Sequence, residues 1–131
     1  MLYLKIYFAM LLCFFAIDLL WLGVLARNFY QAHLGAWLRP SPNWTIAIVF
    51  YLIYISGILV FVVAPNLQAE IWKTLLLGGF FGLVTYATYD LTNHATMKGW
   101  PWIVSVVDIA WGTTLCTLVA LAGHLAGKWF S

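Results

Sequence analysis

The sequence predicts an all-α integral membrane protein: a four-helix bundle of antiparallel, up-down topology, with a short interfacial helix between the first and second spans. Three observations lead there. Hydrophobic residues make up 65% of the 131-residue chain and charged residues only 8%, whereas a soluble domain carries about 25% charged residues. So few charges cannot cover a water-facing surface. Mean hydropathy is +0.96. Finally, the apolar residues fall into four runs, near residues 2–26, 44–64, 71–93 and 101–126, each matching the roughly 20 residues a bilayer requires. In lipid the backbone must bond to itself, so such long continuous runs form helices and not strands. One transmembrane domain over residues 1–131 follows.

The first run starts at Leu2 and resembles a secretory signal only loosely. Asp18 and Trp21 lie inside it, and a signal's apolar core lacks an acid, so a retained span is expected. The connection from Arg27 to Asn43 places Phe29, Tyr30, His33, Leu34, Trp37 and Leu38 at a spacing that suits a short helix on the membrane surface. Arg39-Pro40-Ser41-Pro42 then forces a turn. Pro65-Asn66 stops the second span. The fourth opens at Trp100-Pro101-Trp102, where Pro101 suits a first helical turn because its missing N–H is no loss there. The connections near 65–70 and 94–99 are short, which predicts antiparallel neighbours. Tyr3, Tyr7, Trp44, Trp72, Trp100, Trp102 and Trp129 lie near run ends, as amphipathic rings prefer. Trp21 and Trp111 lie inside runs and need another explanation.

Net charge is +2, and the basic residues Lys5, Arg27, Arg39, Lys73, Lys98 and Lys128 stand singly, so no nucleic-acid stripe forms. Cys13 and Cys116 fall within apolar segments, match no zinc or redox spacing, and read as free buried thiols. Arg27 adjoins its span and favours a cytoplasmic location for the Arg27/Arg39 side, but the near balance of charges leaves dual insertion open.

Three of the four acids, Asp18, Asp90 and Asp108, lie within spans. Each costs roughly 2.5–3.5 kcal/mol at a helix centre on insertion scales, so each calls for a partner or a task. At ~1.5 Å rise per residue, Asp18 lies ~13 Å, Asp108 ~12 Å and Asp90 ~9 Å below the surface marked by Arg27, Trp100 and Thr96. All three therefore share one half of the bilayer, and inward-turned faces would bring them together. Gly78, Gly82, Tyr86, Asp90 and Asn93 share a face of the third span. Asp18 shares a face with Trp21, and Asp108 with Trp111; Tyr51, Tyr54 and Gly57 come from the second span. The candidate ligand-binding set is Asp18, Trp21, Tyr54, Tyr86, Tyr89, Asp90, Asn93, Asp108 and Trp111. A purely structural polar network holding the helices in register is the alternative reading. The opposite half reads as bland and apolar, with His124 incidental near its surface. His94 follows Asp90 by four residues, but no second histidine or cysteine cluster supports a metal, and none is assigned; nor is any cofactor. Phosphate loops, nucleophile elbows and zincin motifs are absent.

The stretch Tyr86-Ala87-Thr88-Tyr89-Asp90-Leu91-Thr92-Asn93, with Ala95-Thr96 and Lys98-Gly99-Trp100 after it, resembles the core motif of the bacterial membrane proteins catalogued as domain of unknown function 2177. Asp18-Leu19-Leu20-Trp21-Leu22-Gly23, Phe50-Tyr51-Leu52-Ile53-Tyr54 and Asp108-Ile109-Ala110-Trp111-Gly112-Thr113 are similar to that family's other patterns, so the resemblance covers nearly the whole chain. It implies a four-span protein of the bacterial inner membrane and supplies no reaction. The family pattern is apolar where His94 stands, which weakens a metal there further.

Three functions fit these residues. The first is a module that binds or transports a small or lipophilic molecule with proton coupling; a single four-helix chain is thin for a transport path, so a homodimer is expected with it. The second is a membrane enzyme acting on a lipid or isoprenoid-like substrate, with acid/base chemistry from Asp18, Asp90 and Asp108 and proton donors in Tyr86 or Tyr89. The third is a non-catalytic subunit or assembly factor.

Overall fold

Every apolar run is helical in the computed structural model, which describes all 131 residues. α1 covers Leu2–Leu20 and continues through a π-helical turn at Trp21–Leu25; α2 covers Arg27–Leu34. α3 covers Trp44–Ile58 and ends in a second π-helical turn, Leu59–Val63, and a 3₁₀ turn, Ala64–Asn66. α4 spans Ile71–Thr96 and α5 spans Trp102–Phe130, and there is no strand. The chain is a multi-pass membrane protein: segments of 24, 23, 26 and 29 residues are each long and apolar enough to cross a bilayer, and they form one helical bundle.

Local chemistry sets the helix ends. Asn43 caps α3, its Oδ1 accepting the Ile46 N–H at 3.3 Å. Gly99 sits at φ +72°, a left-handed conformation that glycine adopts without steric cost, and it turns the chain between α4 and α5. Pro101 precedes α5 with ψ 125°, so the helix proper begins one residue later than the proline's usual first-turn place. α5 then runs four residues beyond Ala126, through Lys128 and Trp129. At ~1.5 Å per residue its ~43 Å exceed the ~30 Å hydrocarbon thickness, leaving its last turn for the headgroup region.

α5 is the central element: 39% of its most apolar stretch is buried, against 17% in α1 and in α4. Small residues make that possible. Gly78 of α4 lies against Ala120 and the Cys116 carbonyl, and Gly82 against the Gly112 carbonyl and Cys116. Gly112 in turn makes room for the Tyr86 ring, and Gly123 for Met10 of α1 and Val63. A side chain at any of these would hold the helices apart, and close backbone approach is what drives association in lipid. Partners ascend along α4 as they descend along α5. One contiguous core results, including Ile6, Met10, Phe14, Ile55, Ile58, Val62, Val63, Leu115 and Val119. Leu12, Ile53, Phe61, Leu76 and Phe80 point outward, as lipid permits.

α3 is attached differently. Its close backbone contacts with α4 and α5 come mainly from the Leu59–Val63 and Ala64–Asn66 turns. Along Trp44–Ile58 it packs against α1, where the Tyr7 hydroxyl donates to the Leu52 carbonyl at 2.9 Å, and reaches α4 and α5 by side chains, chiefly aromatic ones. The far half of the bundle is also less bland than its sequence suggests. His124 is fully buried between α5 and α4, its Nδ1 2.7 Å from the Thr74 hydroxyl, and its Nε2 has no protein partner. Counting residues from the helix end put it near the surface, but α5 continues past Ala126 and draws His124 inward.

Candidate functional site

Where α3 stands off, a chamber of about 650 Å³ opens, within the 300–1,000 Å³ usual for small-molecule sites. Every helix contributes to it: Asp18 and Leu22 region from the first span, Tyr30 from α2, Phe50, Tyr51 and Tyr54 from α3, Thr85, Tyr86 and Tyr89 from α4, and Asp108 and Trp111 from α5.

Its two carboxylates are held by neutral donors. Tyr51 donates its hydroxyl to Asp18 Oδ2 at 3.2 Å, and the Trp111 indole N–H donates to Asp18 Oδ1 at 3.4 Å. Tyr30 donates to Asp108 Oδ1 at 2.8 Å and accepts the Trp21 indole N–H at 3.2 Å. Trp21 and Trp111 stack with centroids 4.4 Å apart and planes 8° from parallel. The two inner tryptophans thus link the two acid sites, which explains their depth in the runs. Burial, with the Asp108 carboxylate beside it, pushes the Tyr30 hydroxyl above the ordinary phenol range, so it remains a proton donor to Asp108 at neutral pH.

The wall opposite is tied together at Tyr54. Its hydroxyl lies 2.6 Å from Thr85 Oγ1 and 2.9 Å from Cys116 Sγ, joining α3, α4 and α5. Phe50 stacks on Tyr54 at 5.4 Å, and Tyr86 meets Tyr54 edge-on at 6.3 Å. Aromatic rings therefore form most of the surface between the two acids.

Of the residues singled out from sequence, Asp18, Tyr54, Tyr86, Tyr89, Asp108 and Trp111 line this chamber. Trp21 stands behind Trp111 and reaches the site through Tyr30. Asp90 and Asn93 are not on its wall. Asp90 is fully buried in the seam between α4 and α5, and neither carboxyl oxygen has a hydrogen-bond partner. Nearby, Trp100 donates its indole N–H to Ser105 Oγ at 3.0 Å, and Ser105 donates to the Asp90 carbonyl at 3.4 Å. The three acids thus share a region, but two face the chamber and one does not.

The candidate ligand-binding set did not include Leu22, Tyr30, Phe50, Tyr51 and Thr85, although Tyr51 was named beside Tyr54 on the second span. Tyr51 carried a signal, since it precedes Tyr54 by three residues and shares its face. Tyr30 carried little: its contact with Asp108 spans 78 residues and depends on how α2 folds back. No group of three His, Cys, Asp or Glu side chains is placed to hold a metal ion.

The family model described as a predicted membrane protein, domain of unknown function 2177, matches residues 3–125, and the chain belongs to that family. The chain is also similar to the fluoride-specific ion channel FluC of Magnetococcus marinus, with 27% identity over 110 residues, covering 82% of this chain and 89% of the relative. No solved structure matches.

Proposed function

We propose that this member of the family of domain of unknown function 2177 binds and transports a small or lipophilic molecule with proton coupling, at the chamber between α3 and the rest of the bundle. The observation that carries the reading is the chamber itself: ligand-sized, mostly apolar, and lined by the carboxyl groups of Asp18 and Asp108. A purely structural polar network would fill its space, because unfilled volume in a bundle forfeits packing energy. The likeness to a channel-forming relative supports transport in general. Asp90, with both carboxyl oxygens unpartnered, is buried apart from the chamber wall and has no part in this reading. The working form in this reading is a homodimer in the bacterial inner membrane, since one four-helix chain offers little wall for a complete path.

Proteoliposomes with an imposed pH gradient and an entrapped pH dye test it. Organic cations, neutral lipophiles and fluoride are added in turn. Solute-dependent proton movement above that of protein-free vesicles, lost in Asp18→Asn, is the expected result. No solute-dependent movement with any class, in vesicles shown to contain folded protein, overturns the reading.

A further inference from the structure

We propose that the chamber selects a lipophilic organic cation, with Asp18 as its charge partner; the inference rests on the chamber being the ligand site. Every ionisable group on its wall is an acid or a tyrosine, and no lysine, arginine or histidine lines it. Asp18 and Asp108 are met only by hydroxyl and indole donors, so neither carboxylate has a protein cation to neutralise it. An anion entering here would meet two carboxylates. A neutral apolar molecule would gain nothing from them.

The rings complete the argument. Phe50, Tyr51, Tyr54, Tyr86, Tyr89 and Trp111 all face the space, and an aromatic face attracts a cation within about 6 Å of its centroid, most strongly where water is excluded. An ammonium or phosphonium centre with apolar substituents satisfies both features: charge to the carboxylate, substituents to the rings.

Asp18 is favoured over Asp108 as the partner. It is 6% exposed and is flanked by two donors on the chamber wall, Tyr51 and Trp111, where Asp108 has Tyr30 alone. Both bonds are long, at 3.2 and 3.4 Å, beyond the usual range for charge-assisted contacts. A cation can therefore approach Asp18 without displacing a short hydrogen bond. Asp108, by contrast, already holds the shorter 2.8 Å bond from Tyr30.

The test compares two ions of nearly the same shape and opposite charge, tetraphenylphosphonium and tetraphenylborate, by equilibrium dialysis against the full chain in detergent micelles. Binding is counted above that of the same micelles without protein. The expected result is saturable phosphonium binding that acidification displaces, no saturable borate binding, and an affinity at least about tenfold lower in Asp18→Asn. Asp18→Glu, which keeps the charge, recovers part of that loss, and circular dichroism of each variant verifies the fold. If Asp18→Asn does not fold, Trp111→Phe serves instead; it keeps a ring while removing the indole donor, and is expected to retain phosphonium selectivity. Equal binding of the two ions, or a wild-type affinity in folded Asp18→Asn, overturns the proposal. Its failure is separable from that of the transport reading. Phosphonium binding without proton-coupled flux leaves the cation site standing and removes transport; flux of a neutral or anionic solute without phosphonium binding does the reverse.

Discussion

The two halves of this bundle are built from the same four helices in opposite ways. Towards the Val63 and Gly123 end, glycines and branched aliphatics let α1, α4, α5 and the end of α3 meet backbone to backbone. Towards the Trp44 and Trp100 end, tyrosines and phenylalanines bridge α3 to the other helices, and the two chamber acids are tied by hydroxyl and indole donors. The difference teaches where each property resides: cohesion in the glycine-rich half, and the proposed ligand site in the aromatic half. A change in one half should leave the other's property largely intact.

The largest expected effect is functional. Asp18→Asn is expected to lower ligand affinity by roughly tenfold or more while the melting temperature in micelles stays near that of the parent; a matched fall in both would erase the division of labour. Next comes Gly123→Leu in the cohesive half, where a side chain would collide with Met10 and Val63. Overpacking of this kind costs about 1–3 kcal/mol, to be read by chemical unfolding in micelles, and the fraction that remains folded should bind ligand as the parent does. Thr74→Val removes the partner of buried His124. Interhelical hydrogen bonds in membranes contribute about 0.6 kcal/mol on average and up to ~1.7 kcal/mol, so a loss in that range is expected with no change in binding. The smallest effect on stability is expected for Tyr30→Phe, below about 1 kcal/mol. It frees α2 from both Trp21 and Asp108, so amide exchange across Arg27–Leu34 should quicken while the spans stay protected.

The spans and the acid-bearing half of the bundle were legible because they depend on length, hydropathy and residue spacing. Spacing placed Asp18 with Trp21 and Asp108 with Trp111, whereas the hydrogen bonds cross between helices: Trp111 reaches Asp18, and Trp21 reaches Asp108 through Tyr30. What could not be read was rotation. Successive residues turn about 100° around a helix, so a modest rotation of α4 moves Asp90 from the chamber into the α4–α5 seam without altering any spacing in the sequence. Tyr30 was hidden for a related reason. Helical periodicity marks α2 as amphipathic, yet nothing local says that its tyrosine reaches a residue of the fourth span. His124 was misplaced because the end of α5 is set by where its packing ends, and the apolar run gives out earlier.

The manner in which α3 is attached has a mechanical consequence. A helix clamped at its Leu59–Asn66 end, resting on α1, and propped from α4 and α5 by side chains can bend like a cantilever on its chamber side, with the lipid pressing on its outer side. The width of the chamber then depends on lateral pressure as well as on the protein. Bilayers that crowd the hydrocarbon core squeeze the space between α3 and α4, and looser ones relax it, so ligand affinity should vary with lipid composition even when every side chain is unchanged.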